Sequence, residues 1–158
     1  NNFVVATPDT GGTARAMAYA RLLGLPDIVI FDKQRVDAGM IKAGSIKIIG
    51  DVAGRDILIV DDMADTCGTI CEVSKAGKEA GARNIYVCVT HAVFSKGAIE
   101  KLDESEVQEV IITDSIWHSE EELKPKRVKI TTVSITTLLA NAINNISSAR
   151  SLSELFKI

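Results

Sequence analysis

A chain of 158 residues fits one domain and is long enough to bury a core, and 46% hydrophobic with 25% charged residues is the make-up of a soluble α/β domain. A net charge of −3 excludes a general nucleic-acid surface, and 4% aromatic residues argues against base-stacking platforms. No apolar run reaches membrane-spanning length and no signal peptide precedes the first strand, so a cytoplasmic protein with no membrane partner is expected.

Phe3-Val4-Val5-Ala6 is short, apolar and β-branched, which predicts a buried strand. Residues 7–13, TPDTGGT, follow as a turn with paired glycines, and residues 14–23 carry helical spacing closed by Gly24. Strand, glycine-rich turn and helix together form an anion cradle, although a plain tight turn is the commoner fate of an isolated GG pair. Residues 27–32, DIVIFD, predict a second strand. Lys33-Gln34-Arg35 then opens a polar, glycine-punctuated stretch running to Lys47. By charge alone this stretch is a solvated hairpin tip, yet two cations beside a movable segment also suit a loop that closes over a polyphosphate. Residues 46–49 predict a short strand and 51–56 a turn.

The stretch that organises the chain is ILIVDDMADTCGT, residues 57–69. An apolar strand over 57–60 runs into Asp61 and Asp62, a turn through Asp65, Thr66, Cys67, Gly68 and Thr69, and a helix over 70–80 stopped by Gly81. The turn offers unpaired backbone N–H groups at a positive dipole end, two threonine hydroxyls, and a glycine that lets backbone approach a ligand; all suit a phosphate. The carboxylates would repel a phosphate and fit instead sugar hydroxyls or a hydrated cation. Further strands are expected over 84–90, 107–113 and 128–133, a short helix over 97–102, an exposed charged loop over 118–126, and a final helix over 135–146 capped by Ser134. Cys67, Cys71 and Cys88 lack repeated ligand spacing and read as free thiols. The pattern predicts an open α/β sheet, mainly parallel, with helices on both faces and ligand loops at strand C-termini.

VDDMADTCGT, residues 60–69, resembles the ribose-5-phosphate loop of the type I phosphoribosyltransferase fold, and more narrowly that of the ribose-phosphate pyrophosphokinase family. TPDTGG, residues 7–12, resembles that family's pyrophosphate loop, and KQR, residues 33–35, stands where the family carries a Lys-Arg-Arg catalytic loop. The resemblance implies transfer of pyrophosphate from ATP to the C1 hydroxyl of ribose 5-phosphate, with magnesium (Mg2+) as cofactor. It implies Lys33 and Arg35 as the catalytic cations. Asp61 and Asp62 would bind ribose hydroxyls, and Asp65, Thr66, Cys67, Gly68 and Thr69 the 5-phosphate. Asp9, Thr10, Gly11, Gly12 and Thr13 would hold pyrophosphate, Asp9 also carrying the metal. Gln34 departs from the family pattern and leaves room for a weaker hold on nucleotide or a different loop register. THAVFS, residues 90–95, resembles the family's THG-type turn with Ala92 for glycine, and His91 stays outside the catalytic set. The tail SLSELF resembles the family's C-terminal segment, which implies a weak regulatory role for Ser151, Leu152, Ser153 and Phe156 at a subunit interface.

The resemblance also implies a homo-oligomer in the full-length protein. A chain that opens on Asn1-Asn2 without methionine is expected to be a fragment, the second half of a two-domain synthetase, inactive alone. Two other readings use the same loops. A phosphoribosyltransferase would consume the activated sugar and lack KQR and SLSELF. A non-catalytic regulatory subunit would tend to lose the ribose-phosphate loop, which is intact here, and only Gln34 favours it.

Overall fold

The computed structural model describes residues 2–33 and 46–156. Among the described residues seven strands form one sheet in the order β3-β2-β1-β4-β5-β6-β7. In chain order the elements are β1 (Phe3–Thr7), α1 (Thr13–Leu22), β2 (Ile28–Lys33), β3 (Ile46–Ile49), β4 (Asp56–Ala64), α2 (Gly68–Glu79), β5 (Asn84–Ala92), α3 (Ala98–Glu104), β6 (Glu109–Thr113), β7 (Lys129–Val133) and α4 (Thr136–Ser147), followed by a 3-10 turn over Leu152–Phe156. All neighbours pair in parallel except β2 and β3, an antiparallel pair at the edge. The expected mainly parallel α/β sheet is what forms.

Parallel strands sealed on both faces need apolar side chains at successive positions, and β1 and β4 supply them: Val4, Val5, Ala6, Ile57, Ile59 and Val60 are fully buried. Alternation splits these residues between two cores. Val5 and Val60 meet Ala16 and Ala20 of α1 on one face, while Val4, Ala6, Ile57 and Ile59 join Ile70 and Val73 of α2 on the other. Gly77 lets α2 lie close, since a Cβ there would stand 3.3 Å from Ile57 Cδ1 and 3.4 Å from Ile85 Cδ1. From the central pair the chain winds outward in both directions, β1 to β2 on one side and β4 to β5 on the other. The β1/β4 boundary is therefore a topological switch point, where the loops after two adjacent strands diverge and leave a crevice.

Several boundaries differ from the sequence reading. β4 does not end at Val60: pairing with β5 continues through Met63↔His91 and Ala64↔Ala92, so Asp61 and Asp62 are strand residues, not turn residues, and His91 lies within β5. α2 starts at Gly68, two residues early. The last helix starts at Thr136 with Ile135 at its N-cap, and Ser134 acts one residue before the cap, its Oγ accepting the Thr136 N–H at 3.2 Å. That helix has the apolar spacing expected of it but does not bury it: Leu138, Leu139, Ile143 and Ile146 are all at least half exposed. No helix of the described residues is long and apolar enough to cross a membrane.

Candidate functional site

The loop after β1 is held from within. Buried Thr7 donates its hydroxyl to the Asp9 carbonyl at 2.8 Å, the Asp9 Oδ1 atom accepts the Gly12 N–H at 2.9 Å, and Thr13 Oγ1 donates to the Thr10 carbonyl at 2.7 Å. Gly12 is required by closeness, since a Cβ there would fall inside contact distance of Thr7 Oγ1. Gly12 is also the N-cap of α1, whose first turn has no acidic residue to offset its positive end. Asp9 thus has a structural task beyond the metal-holding one expected of it.

The loop after β4 enters α2 through Cys67, whose φ of 59° is left-handed. The sequence reading took Gly68 as the residue that lets backbone approach a ligand; the unusual backbone conformation of the turn falls one residue earlier, at a buried residue with a Cβ. The first ladder bond of α2 is Cys71 N–H to the Cys67 carbonyl at 3.0 Å, so the N–H groups of Gly68, Thr69 and Ile70 precede the ladder. Thr66 and Thr69 are exposed there, their hydroxyls without hydrogen-bond partners among the described residues. Burial pushes the Cys67 thiol up to about 12, so it packs as a neutral group, not as a nucleophile or metal ligand. The loop is backed by the segment after β5: Ser95 Oγ donates to Asp65 Oδ1, Ser95 N–H to the Asp65 carbonyl at 3.1 Å and Phe94 N–H to the Ala64 carbonyl at 3.0 Å. From α3, Lys101 Nζ reaches the Thr66 carbonyl at 3.4 Å.

Arg15, in the first turn of α1, reaches the C-terminal part of β4. Its Nη1 lies 2.6 Å from Asp61 Oδ1 and its Nη2 3.2 Å from Asp62 Oδ2. The expectation that the 7–13 and 61–69 loops meet at one edge is met by strand order, which sets β1 beside β4, and Arg15 of α1 reaches across to the end of β4. Burial pushes the Asp61 carboxyl up, while a hydrogen bond from Asp61 and then the Arg15 charge hold Asp62 down, so the two acids are separated in strength. Lys33, at the end of β2, lies with its Nζ 2.5 Å from Glu72 Oε2 of α2. Both partners are half-exposed, so the pair contributes little stability, but it sets the lysine over the helix that rises from the 65–69 turn. Arg35 and Gln34 lie outside the described residues.

No group of three or more His, Cys, Asp or Glu side chains able to hold a metal occurs among the described residues. A bound Mg2+ needs no such group, because it keeps several waters and binds through one or two carboxylates plus substrate phosphates. Exposed Asp9, with one oxygen committed to Gly12, is a donor of that kind. The tail residues Ser151, Leu152, Ser153 and Phe156 form the 3-10 turn region against α4: buried Asn145 donates its Nδ2–H to the Ser151 carbonyl at 3.1 Å, and Ser153 N–H donates to Ser151 Oγ at 3.1 Å. Arg15, Glu72, Ser95 and Lys101 were missed in the sequence. Only Arg15 left a signal, being one helical turn beyond the glycines and so on the loop side of α1.

Residues 39–157 match the family model of the phosphoribosyl synthetase-associated domain. The curated ribose-phosphate pyrophosphokinase of Vibrio parahaemolyticus is 46% identical over 156 residues, which is 99% of this chain and 48% of that protein. The ribose-phosphate pyrophosphokinase of Haemophilus influenzae is 44% identical over 155 residues, 98% of this chain and 48% of that protein. Among solved structures, that of phosphoribosylpyrophosphate synthetase from Mycobacterium smegmatis aligns with a TM-score of 0.83 at 32% identity, over 94% of this chain and 46% of that chain. The chain spans about half the length of the relatives it matches. Over its aligned part the Mycobacterium smegmatis structure has the fold described above, and with residues 39–157 inside the family match the chain belongs to the phosphoribosyl synthetase-associated domain family.

Proposed function

We propose that this chain forms half of a cytoplasmic, homo-oligomeric ribose-phosphate pyrophosphokinase, and the second half, on the likeness of residues 151–156 to the family's ending. The protein would transfer the β,γ-pyrophosphoryl group of ATP to the C1 hydroxyl of ribose 5-phosphate, with neither nucleic acid nor membrane as partner. The observation that carries this reading is the meeting of two anion cradles at the β1/β4 boundary, bridged by Arg15 to Asp61 and Asp62. A phosphorylated pentose spans the β4 side: its 5-phosphate on the N–H groups and hydroxyls of residues 65–69, its ring hydroxyls on Asp61 and Asp62. The pyrophosphoryl group belongs to residues 9–13. Magnesium, held through Asp9 and substrate oxygens, would supply charge neutralisation on the phosphates.

The C1 hydroxyl oxygen attacks the β-phosphorus and gives up its proton to solvent, the bond from that phosphorus to the oxygen of AMP breaks, and AMP leaves with the electron pair. No covalent intermediate is needed, because positioning and stabilisation of charge on the transferred group suffice. Lys33 and Arg35 provide that charge once Lys33 leaves Glu72. The test is AMP release by the full-length protein supplied with ATP, Mg2+ and ribose 5-phosphate. Lys33→Ala is expected to slow it at least about 100-fold, and the 158-residue chain alone to bind ribose 5-phosphate without turnover. Failure of the full-length wild type to form AMP, or brisk turnover by the isolated chain, overturns the reading. Release of pyrophosphate from phosphoribosyl pyrophosphate on addition of a nucleobase would favour the phosphoribosyltransferase reading instead.

A further inference from the structure

We infer that Arg15 is the positioning residue for the sugar: its guanidinium holds Asp61 and Asp62 as one charged, oriented acceptor pair beside the phosphate cradles. The inference rests on the proposed function and adds to it a residue that is neither in a cradle nor in the cation loop. Adjacent strand residues ordinarily aim at opposite faces of a sheet. Here one planar fork meets both, with Nη1 on Asp61 Oδ1 and Nη2 on Asp62 Oδ2. Each carboxylate is also tied to backbone: Asp61 Oδ1 accepts the Asp62 N–H at 2.9 Å and Asp62 Oδ1 the Met63 N–H at 2.9 Å. Apart from the hydrogen bond the two acids share, Asp61 Oδ2 has no partner among the described residues, and Asp62 Oδ2 has the longer of the two Arg15 contacts. These two oxygens are the acceptors available to neighbouring hydroxyls of a sugar ring.

Charge makes the arrangement necessary. Two carboxylates side by side, one of them mostly buried, resist being ionised together, and a doubly charged pair would repel a substrate carrying phosphates. A permanently charged guanidinium between them lessens both difficulties, leaving one net negative charge of two, and its rigid fork sets the separation of the acceptors in a way an ammonium could not. Arg15 also reports on the other cradle. It lies one helical turn past Gly12, and a Cβ on Gly12 would stand 3.6 Å from its Nη1. The turn that would hold pyrophosphate and the acids that would hold the sugar are therefore set by one side chain.

The experiment uses the full-length protein as wild type, Arg15→Gln and Arg15→Lys. Equilibrium titration with ribose 5-phosphate and with ATP is read alongside KM and kcat for AMP formation across pH, after thermal melts confirm folding. Arg15→Gln is expected to weaken ribose 5-phosphate binding and raise its KM by about 10- to 100-fold, the loss typical of a charge-assisted hydrogen bond. ATP binding should change far less, and the acid limb of kcat/KM for the sugar should move to higher pH as the acid pair loses its counter-charge. Arg15→Lys should restore the acid limb, which needs only charge, but not the full sugar affinity, which needs the fork. Equal sugar affinity in wild type and Arg15→Gln overturns the inference and leaves the proposed function standing. Equal weakening toward ATP and sugar assigns Arg15 a merely structural role and overturns it too. Absence of both sugar binding and AMP formation in the wild type overturns the proposed function, and this inference with it.

Discussion

Cys67 shows what single-residue reasoning can and cannot reach. It is 4% exposed, stands at φ 59° and opens α2, so a side chain is packed where the backbone favours glycine. A left-handed conformation costs an ordinary residue roughly 1–2 kcal/mol, which burial of the sulfur offsets. Cys67→Gly should therefore stay close to wild-type stability, while Cys67→Val, branched at Cβ, should lose about 2 kcal/mol or more in urea unfolding. A valine variant as stable as wild type would show that the turn relaxes out of the left-handed region. The reading of a strand, a polar turn and a helix at 57–80 was available from residue types, because an apolar run ending in Asp, Thr and Gly has few other local solutions. Which residue of the turn carries the unusual φ was not available, since it depends on how α2 seats on the sheet.

Among the elements, β4 is the informative case. Its apolar half announces a strand, but its extension through Ala64 depends on β5 lying alongside, a partner that local polarity cannot reveal. At its other end Asp56 is 4% exposed and accepts from Arg83 Nε at 2.8 Å, from Arg83 Nη2 and from Asn84 Nδ2 at 2.9 Å, which pins the start of β4 to the start of β5. The Arg83 hydrogen bonds, followed by that of Asn84, hold the Asp56 carboxyl below its usual range against the opposing pull of burial. A depressed carboxylate contributes stability that is complete above its unfolded value near pH 4 and is lost as pH falls through the folded value. Asp56→Asn should accordingly cost about 1–3 kcal/mol near neutral pH. The gap to wild type in urea unfolding should narrow on moving from about pH 7 to about pH 3. A gap that stays constant with pH would mean that packing, not charge, fixes this strand end. Asp61 acts in the opposite sense: its carboxyl is raised by burial, so protonation there favours the folded chain as pH falls.

At the scale of the molecule, strand order does what no motif can. The two phosphate-type turns lie some fifty residues apart in sequence, and only the placement of β4 beside β1 makes them neighbours. The alternation of apolar runs and helical spacing was enough to anticipate an open parallel sheet, and with it the shared edge. The place of Arg15 one turn past the glycines put it on the loop side of α1, but that did not give its role, because such an arginine looks like any solvated cation until a second strand supplies its acids. Nor could periodicity tell that α4 keeps its leucines and isoleucines in water, since the pattern records which face is apolar and not whether anything lies against it.

That bare helix governs how the chain behaves in a test tube. Leu138, Leu139, Ile143 and Ile146 form a greasy ridge on one short helix, and sulfate salts strengthen contact between such ridges. Purified by itself, the 158-residue chain should scatter more light as ammonium sulfate is added and should cling to phenyl resin. Replacing Ile143 and Ile146 with lysine should abolish both behaviours while leaving circular dichroism unchanged; a variant that still clings would locate the stickiness elsewhere.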